Sequence, residues 1–373
     1  MVGYAFMGRA HSQAWRTAAH MFDVPLRPVL RAICGRDATR VVAAAEQLGW
    51  ETYETDWRRL IDRDDIDLID ICTPGDSHAA IAIAALDTGK HVLCEKPLAN
   101  TVAEAEAMVA AADRAAARGV RAMVGFNYRR VPALTLARQL VRDGRLGEIR
   151  HIRARYLQDW LVDPDFPLLW RLKAEHAGSG ALGDLGAHIV DLVQFVTGDV
   201  ITGVSALTET FVRRRPLPEG TGFGEVTVDD CVLFLGRMRS GAVASFEATR
   251  FATGRRNALQ LEINGSAGSL AFDLESMNEL HFYDHTEAAG GAGFRRILVT
   301  EREHPYLEGW WPPGHVLGYE HTFTHQAVDL LRAIGEQRDP VPSFADGLQV
   351  QRVLHAVEES AKHQCRWQPV EVG

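Results

Sequence analysis

Residues 66–97 read IDLIDICTPGDSHAAIAIAALDTGKHVLCEKP, and this stretch decides the fold. Ile66–Cys72 is a short apolar run ended by Thr73-Pro74-Gly75, which predicts a buried strand closed by a turn. His78–Leu86 predicts a helix, and Gly89 stands where a glycine commonly closes one. His91–Cys94 is a second apolar strand, bounded by Gly89 and Pro97. Two parallel strands need a crossover connection of about a dozen residues or more, usually a helix, and this stretch supplies one. Glu95 and Lys96 then fall just past a strand's carboxyl end, where open α/β sheets place their ligands.

The same alternation extends in both directions. Met1–Tyr4 reads as a strand remnant, Gly8–Ala19 as a helix, Val29–Cys34 as a strand and Ala38–Leu48 as a helix. Downstream, Thr101–Ala117 is a long helix opened by the capping box Thr101-x-x-Glu104, and Val120–Val124 is the next strand. Strands alternating with helices predict a doubly wound parallel sheet over residues 1–123. From about residue 150 the period changes. His151–Tyr156, Ile201–Thr208, Cys231–Met238, Ala242–Thr249, Leu259–Asn264 and Ser269–Leu274 read as strands joined by short turns, so residues 124–373 are predicted to carry a mostly antiparallel sheet. Ala187–Val196 and Thr322–Ile334 are predicted helices, and Asp346 is the expected N-cap of a last helix through Ala361. Arg213–Gly224 and Glu287–Gly293 read as surface loops. The fold class is α/β followed by α+β.

A chain of 373 residues exceeds one ordinary core, which agrees with two domains. The formal net charge of −9, with no concentrated basic segment, argues against nucleic acid and anionic membrane surfaces as partners. No apolar run approaches a membrane span and no charged-then-apolar leader opens the chain, so a cytoplasmic protein is expected. The five cysteines form no C-x-x-C pair and no cluster, which argues against a disulfide framework or a zinc site.

Gly3-Tyr4-Ala5-Phe6-Met7-Gly8 follows a strand and opens a helix, the setting a dinucleotide fingerprint requires. Gly3 permits the tight turn and Gly8 lets helix pack on strand, while N–H groups at the helix N-terminus hold a pyrophosphate. Ala5 replaces the usual middle glycine. After the second strand, an acidic residue binds the ribose 2′-hydroxyl of NAD, whereas a small residue with a nearby Arg accepts the 2′-phosphate of NADP. Here Gly35 and Arg36 lean toward NADP, with Asp37 as a competing ribose ligand.

The second chemical feature is Gly178-Ser179-Gly180-Ala181-Leu182-Gly183-Asp184-Leu185-Gly186-Ala187-His188, a glycine-rich turn running into a helix. Asp184 and His188 are four residues apart and share a helix face. Lys96, Asp184 and His188 are residue types suited to proton transfer. The plainer readings are a surface lysine and an exposed ion pair, and Asp191 on the same stripe offers a metal set with Asp184 and His188. No second ligand cluster accompanies that set, so no metal is expected. Gln158-Asp159-Trp160, Trp170-Arg171 and Trp310–His315 combine aromatic rings with polar groups, as a sugar's C–H faces and hydroxyl edges require.

The Gly3–Gly8 turn with His11 after it, Thr73-Pro74…His78, Glu95-Lys96-Pro97 and the glycine-rich run ending in Asp184-x-Gly-x-His188 together resemble the glucose–fructose oxidoreductase, inositol dehydrogenase and MocA family over the whole chain. The resemblance implies a Rossmann domain, then a substrate-binding and oligomerisation domain with a large open antiparallel sheet. It also implies NAD(P)-dependent oxidation or reduction of a sugar, anhydrosugar or cyclitol hydroxyl. Carried onto this chain, Lys96 hydrogen-bonds the reacting hydroxyl, His188 is the general base, and Asp184 binds substrate and orients the pair. Thr73, Pro74, His78, Glu95 and Asn127 line the cofactor cleft, and Lys96-Pro97 is expected to be cis. Gln158, Asp159, Trp160, Trp170 and Arg171 fall on the substrate side, in segments similar to a levoglucosan dehydrogenase-like subgroup. The family implies a homodimer or homotetramer. Two rivals remain open at this point: a redox-neutral epimerase or hydrolase that recycles bound cofactor, and a non-catalytic sugar or nucleotide sensor.

Overall fold

The computed structural model describes residues 1–373, which divide into two units. The first contains Met1–Arg130, Glu308–Trp310 and Leu317–Leu348. Its sheet runs, edge to edge, through Thr52–Glu54, Ala32–Cys34, Val2, Leu68–Ile71, His91–Cys94 and Ala122–Val124, all parallel. The predicted first strand shrinks to Val2, which bridges Cys34 on one side and Ile71 on the other. Gly3 then turns the chain out of the sheet with a left-handed φ of +100°, and a Cβ there would lie 2.7 Å from the Cys72 carbonyl oxygen. This is the strand-to-helix geometry that the sequence predicts.

Helix Val102–Ala116 opens on the predicted capping box, with Thr101 and Glu104 each holding the other's backbone N–H. The last helix, Phe344–Lys362, differs from expectation. Ser343 caps it, accepting from Asp346 N at 3.2 Å, and Asp346 returns the bond to Ser343 N at 2.7 Å. Asp346 is thus the third helical residue and not the cap. Tyr319–Gly335 belongs to the first unit, whereas a linear division at 123/124 assigns it to the second. Its Phe323, Leu330 and Leu331 pack with Ala14 and Trp15 of helix Phe6–Met21, and with Phe22 just past its end, in one apolar cluster. Burial of such side chains contributes about 1.5–3 kcal/mol each, which fixes that helix to the fingerprint helix.

The second unit contains Val131–Leu307, Trp311–Val316 and Gln349–Gly373. Its nine-stranded sheet runs Arg295–Leu298, Glu279–Asp284, Gly268–Asp273, Ala258–Gly265, Ile149–Leu157, Val243–Thr249, Cys231–Met238, Ile201–Glu209 and Gln368–Pro369. Every pairing is antiparallel except Val243–Thr249 with Ile149–Leu157. Cys231–Met238 alternates buried and exposed side chains, so one sheet face is covered and the other is open. Helices Pro132–Arg142 and Ala187–Thr197 lie against the covered side. A hairpin, Arg214–Pro216 with Phe223–Glu225, interrupts the predicted loop at Arg213–Gly224. No helix is long and apolar enough to cross a membrane.

Candidate active site

The nucleotide turn is built entirely within the first unit. Helix Phe6–Met21 begins at Ala5 with no side-chain cap and no acidic residue in its first turn, so its leading N–H groups are left to an anion. Ala5 has φ −73°, a conformation open to any L-residue, which explains why the middle glycine is dispensable here. A Cβ at Gly8 would lie 2.3 Å from the Gly3 carbonyl oxygen, so the closing glycine is required. Phe6 is exposed and stacks with Tyr319 at 6.2 Å, while Met7 packs into the core beside it. These features fit a bound dinucleotide.

At the adenosine end the Tyr4 ring lies against Gly35, so that a Cβ at Gly35 would meet Tyr4 Cε1 at 1.9 Å. Asp37 caps helix Ala38–Leu48, accepting from Arg40 N at 3.0 Å, and pairs with Arg40 Nε at 3.4 Å. Its carboxylate is therefore committed locally. Arg36 is exposed.

The turns after the third and fourth strands are tied together. His78 reaches the Pro97 carbonyl with Nδ1 at 3.0 Å and the Thr73 carbonyl with Nε2 at 2.9 Å. It is a buried strut between Thr73-Pro74 and Glu95-Lys96-Pro97, with both ring nitrogens facing backbone carbonyls. Thr73 Oγ1 accepts from Ser77 Oγ at 2.7 Å, and Pro74 O accepts from Ser77 N at 3.1 Å. Lys96-Pro97 is cis, as the resemblance implied. Glu95 is buried, with Oε2 accepting from Lys96 N at 3.3 Å and Oε1 lying 3.0 Å from His11 Nε2. Asn127, also buried, donates to Thr322 Oγ1 at 2.9 Å.

In the second unit, Asp184 lies in a π-helical turn, Leu182–Gly186, which continues into Ala187–Thr197 with His188 in its first turn. π turns inside helices are rare and concentrate at functional sites. One residue holds this segment in place. Asp229 accepts from Gly180 N (2.7 Å) and Leu182 N (2.8 Å) with its carboxylate, and from Ala181 N (3.0 Å) with its own carbonyl. Three orphan donors at the segment's start are thereby satisfied from the loop that precedes strand Cys231–Met238. Burial pushes the Asp229 carboxyl up, against the pull of the Arg250 guanidinium and those N–H groups. A Cβ at Gly180 would lie 1.8 Å from the Asp229 oxygen, so Gly180→Ala is expected to displace the turn. Urea unfolding should show a loss of about 1–3 kcal/mol from overpacking.

His188 is 6 % exposed, and the Tyr156 ring meets it edge to face at 5.8 Å. Tyr156 Oη donates to Asn257 Oδ1 at 2.7 Å, Gln158 Nε2 donates to the same oxygen at 2.8 Å, and Trp160 Nε1 donates to Gln158 Oε1 at 2.9 Å. Asp159 accepts from Gly254 N and Arg256 Nη1, both at 3.1 Å. Both ends of the Gln158 amide and both Asp159 oxygens thus have internal partners, and Gln158 with Asn257 braces the Tyr156 ring beside His188. Trp160 packs on Phe166 and under Arg250. Trp170 is 36 % exposed with Arg171 stacked on it at 4.5 Å. Trp310 departs from expectation: it lies in the first unit, packed on Phe22 and donating to His325 Nε2 at 2.7 Å. Asp229, Asn257 and Asp70, the last as the partner of His11, are neighbours of the candidate residues that were not picked out from the sequence. The one readable signal is Asp70, a carboxylate in the middle of an apolar strand.

A dinucleotide turn followed by a lysine, in a chain that also sets a carboxylate and an imidazole on one helix, defines a nicotinamide-dependent oxidoreductase. The "Oxidoreductase family, NAD-binding Rossmann fold" matches residues 1–126 and the "GFO/IDH/MocA C-terminal domain" matches residues 134–271. The chain belongs to the GFO/IDH/MocA family of oxidoreductases. It is similar to levoglucosan dehydrogenase of Pseudarthrobacter phenanthrenivorans, at 41% identity over 97% of this chain and 95% of that protein. Among solved structures it resembles an oxidoreductase domain protein from Kribbella flavida (67% identity, TM-score 0.97, covering 100% and 98% of the two chains). It also resembles levoglucosan dehydrogenase in complex with NADH and levoglucosan (42% identity, TM-score 0.95, 99% and 98%).

Proposed function

We propose that this protein is an NAD-dependent dehydrogenase of an anhydrosugar, with levoglucosan as the first substrate to test. The observation that carries this reading is the match to levoglucosan dehydrogenase across 99% of the chain, substrate-side unit included. When bound, the nicotinamide supplies acceptance of a hydride from the carbinol carbon. This chain's residues do the rest. Lys96 donates to the reacting oxygen, and its ammonium favours the alkoxide as it develops. His188 Nδ1 or Nε2 takes the hydroxyl proton, and Tyr156, braced by Asn257 and Gln158, limits the motion of that ring. Asp184 accepts from a neighbouring sugar hydroxyl, and Trp170 with Arg171 offers a flat face for the ring's C–H groups.

Gly35-Arg36 leans toward NADP, while the levoglucosan dehydrogenase structures contain NADH. We place NAD first, because the Tyr4 ring already crowds Gly35. The test is a panel of anhydrosugars, pyranoses and inositols with NAD and NADP in parallel, read by nicotinamide absorbance. Turnover of sugar without net absorbance change would replace this reading with a redox-neutral one. Binding without turnover would replace it with a sensor.

The open sheet face supports a dimer. Leu207 and Leu233 are opposite one another on paired strands, and Leu235 and Val243 extend the patch, each between 45% and 61% exposed. Contiguous exposed apolar side chains of this kind mark association surfaces. Replacing Leu233→Asp and Leu235→Asp together should give a monomer by light scattering where the wild type gives a dimer or tetramer.

A further inference from the structure

His11 stands in the second turn of the fingerprint helix, 1 % exposed, between two carboxylates. Its Nδ1 lies 3.0 Å from each Asp70 oxygen, and its Nε2 lies 3.0 Å from Glu95 Oε1. A neutral imidazole carries one N–H, so only the imidazolium donates to both sides. Burial opposes that charge, but Asp70 outweighs it and holds the His11 pKa well above its ordinary value. Asp70 is fixed in turn by Trp15 Nε1 at 2.7 Å, and the Phe323 ring closes over His11 at 5.4 Å.

A buried ion triad is a poor way to stabilise a core, since well-packed apolar residues of similar volume do as well or better. The triad's far end points to another role. Glu95 directly precedes Lys96 and takes the Lys96 N–H on its second oxygen. Glu95 N donates to Ile71 O at 2.9 Å. A Cβ at Gly125 would lie 2.8 Å from Glu95 Oε1, so the glycine keeps the slot for that carboxylate open. His11, the Lys96 N–H and the Gly125 slot therefore converge on one carboxylate's orientation, while the backbone bond to Ile71 fixes where residue 95 sits.

We propose that His11 is a positioning residue for hydride transfer: by bridging Asp70 and Glu95, it fixes the Glu95-Lys96-Pro97 turn and so the place and charge environment of the Lys96 ammonium. The kinetic consequence rests on the dehydrogenase reading above, but the placement of Lys96 does not. His11→Asn keeps a donor near the Nδ1 position and loses Glu95. His11→Gln keeps one near Nε2 and retains Glu95. In the full-length protein we expect kcat to fall by about 10²-fold in His11→Asn, the scale of a misplacement near 1 Å. His11→Gln should recover much of it, although both lose thermal stability and both bind NADH near the wild-type Kd. Acetylation of Lys96, read by mass spectrometry against Lys173 and Lys362, should change severalfold in His11→Asn and stay close to wild type in His11→Gln. If both variants fold poorly, Glu95→Ala removes the acceptor and cuts the same contact from the other side, and must alter Lys96 acetylation in the same way. Equal kcat in the two His11 variants, or Lys96 acetylation unchanged when the His11–Glu95 contact is cut, overturns the proposal. A wild-type protein that reduces no nicotinamide with any sugar overturns the dehydrogenase reading instead, and Lys96 acetylation still decides the role of His11.

Discussion

Lys96→Ala is expected to lower kcat by about 10³-fold, the loss seen when one donor to a developing oxyanion is removed, while NADH binding measured by fluorescence should stay within a few-fold of wild type. Two features of the first unit separate these effects. The groups that fit the dinucleotide are the uncapped start of helix Phe6–Met21 and the Gly3–Gly8 turn, and neither needs the lysine side chain. The turn that carries Lys96 is held by Glu95 and His78 through contacts that survive truncation at residue 96. The fold and the cofactor site are thus expected to persist, and only the ammonium is lost. Near-normal turnover in this variant would remove Lys96 from the chemistry.

His188→Asn is expected to lower kcat by about 10²–10⁴-fold, the range for loss of a positioned general base. Asparagine is close in size and keeps a polar group against Tyr156, so packing in this 6 % exposed position should change little. Without a base, proton removal falls to solvent hydroxide, and the residual rate should rise steadily with pH where the wild-type rate levels off. A variant whose rate loss is independent of pH would assign His188 to binding alone.

The fold was legible where local pattern and tertiary demand agree. Thr101 and Glu104 form the capping box that their spacing predicts, and the apolar run at Cys231–Met238 forms the strand expected of it. Helix Pro132–Arg142 was not legible, because Val131-Pro132 reads as a break although proline suits a helix's first turn. Arg214–Pro216 and Phe223–Glu225 pair inside a segment rich in Arg, Pro and Gly, with no alternation to announce a hairpin. For the site, residue types were readable and partners were not. His11 finds Asp70 and Glu95 across 59 and 84 residues, and Asp229 finds Gly180 across 49. Gln158 and Asp159 were legible as polar groups near the substrate side, but folding turned their polar atoms toward Asn257, Trp160, Gly254 and Arg256. Trp310 shows the same limit, an aromatic of suitable type that packs on Phe22 in the first unit's core.

Hydride transfer between an anhydrosugar carbinol and a nicotinamide is tested in a single mixture. The wild-type protein is mixed with NAD and levoglucosan, and NADH and the ketone product are quantified together. Steady, equimolar formation of both is expected, and its loss in Lys96→Ala. Absence of NADH or NADPH with levoglucosan and with every other anhydrosugar, pyranose and inositol tried, using either dinucleotide, would contradict it.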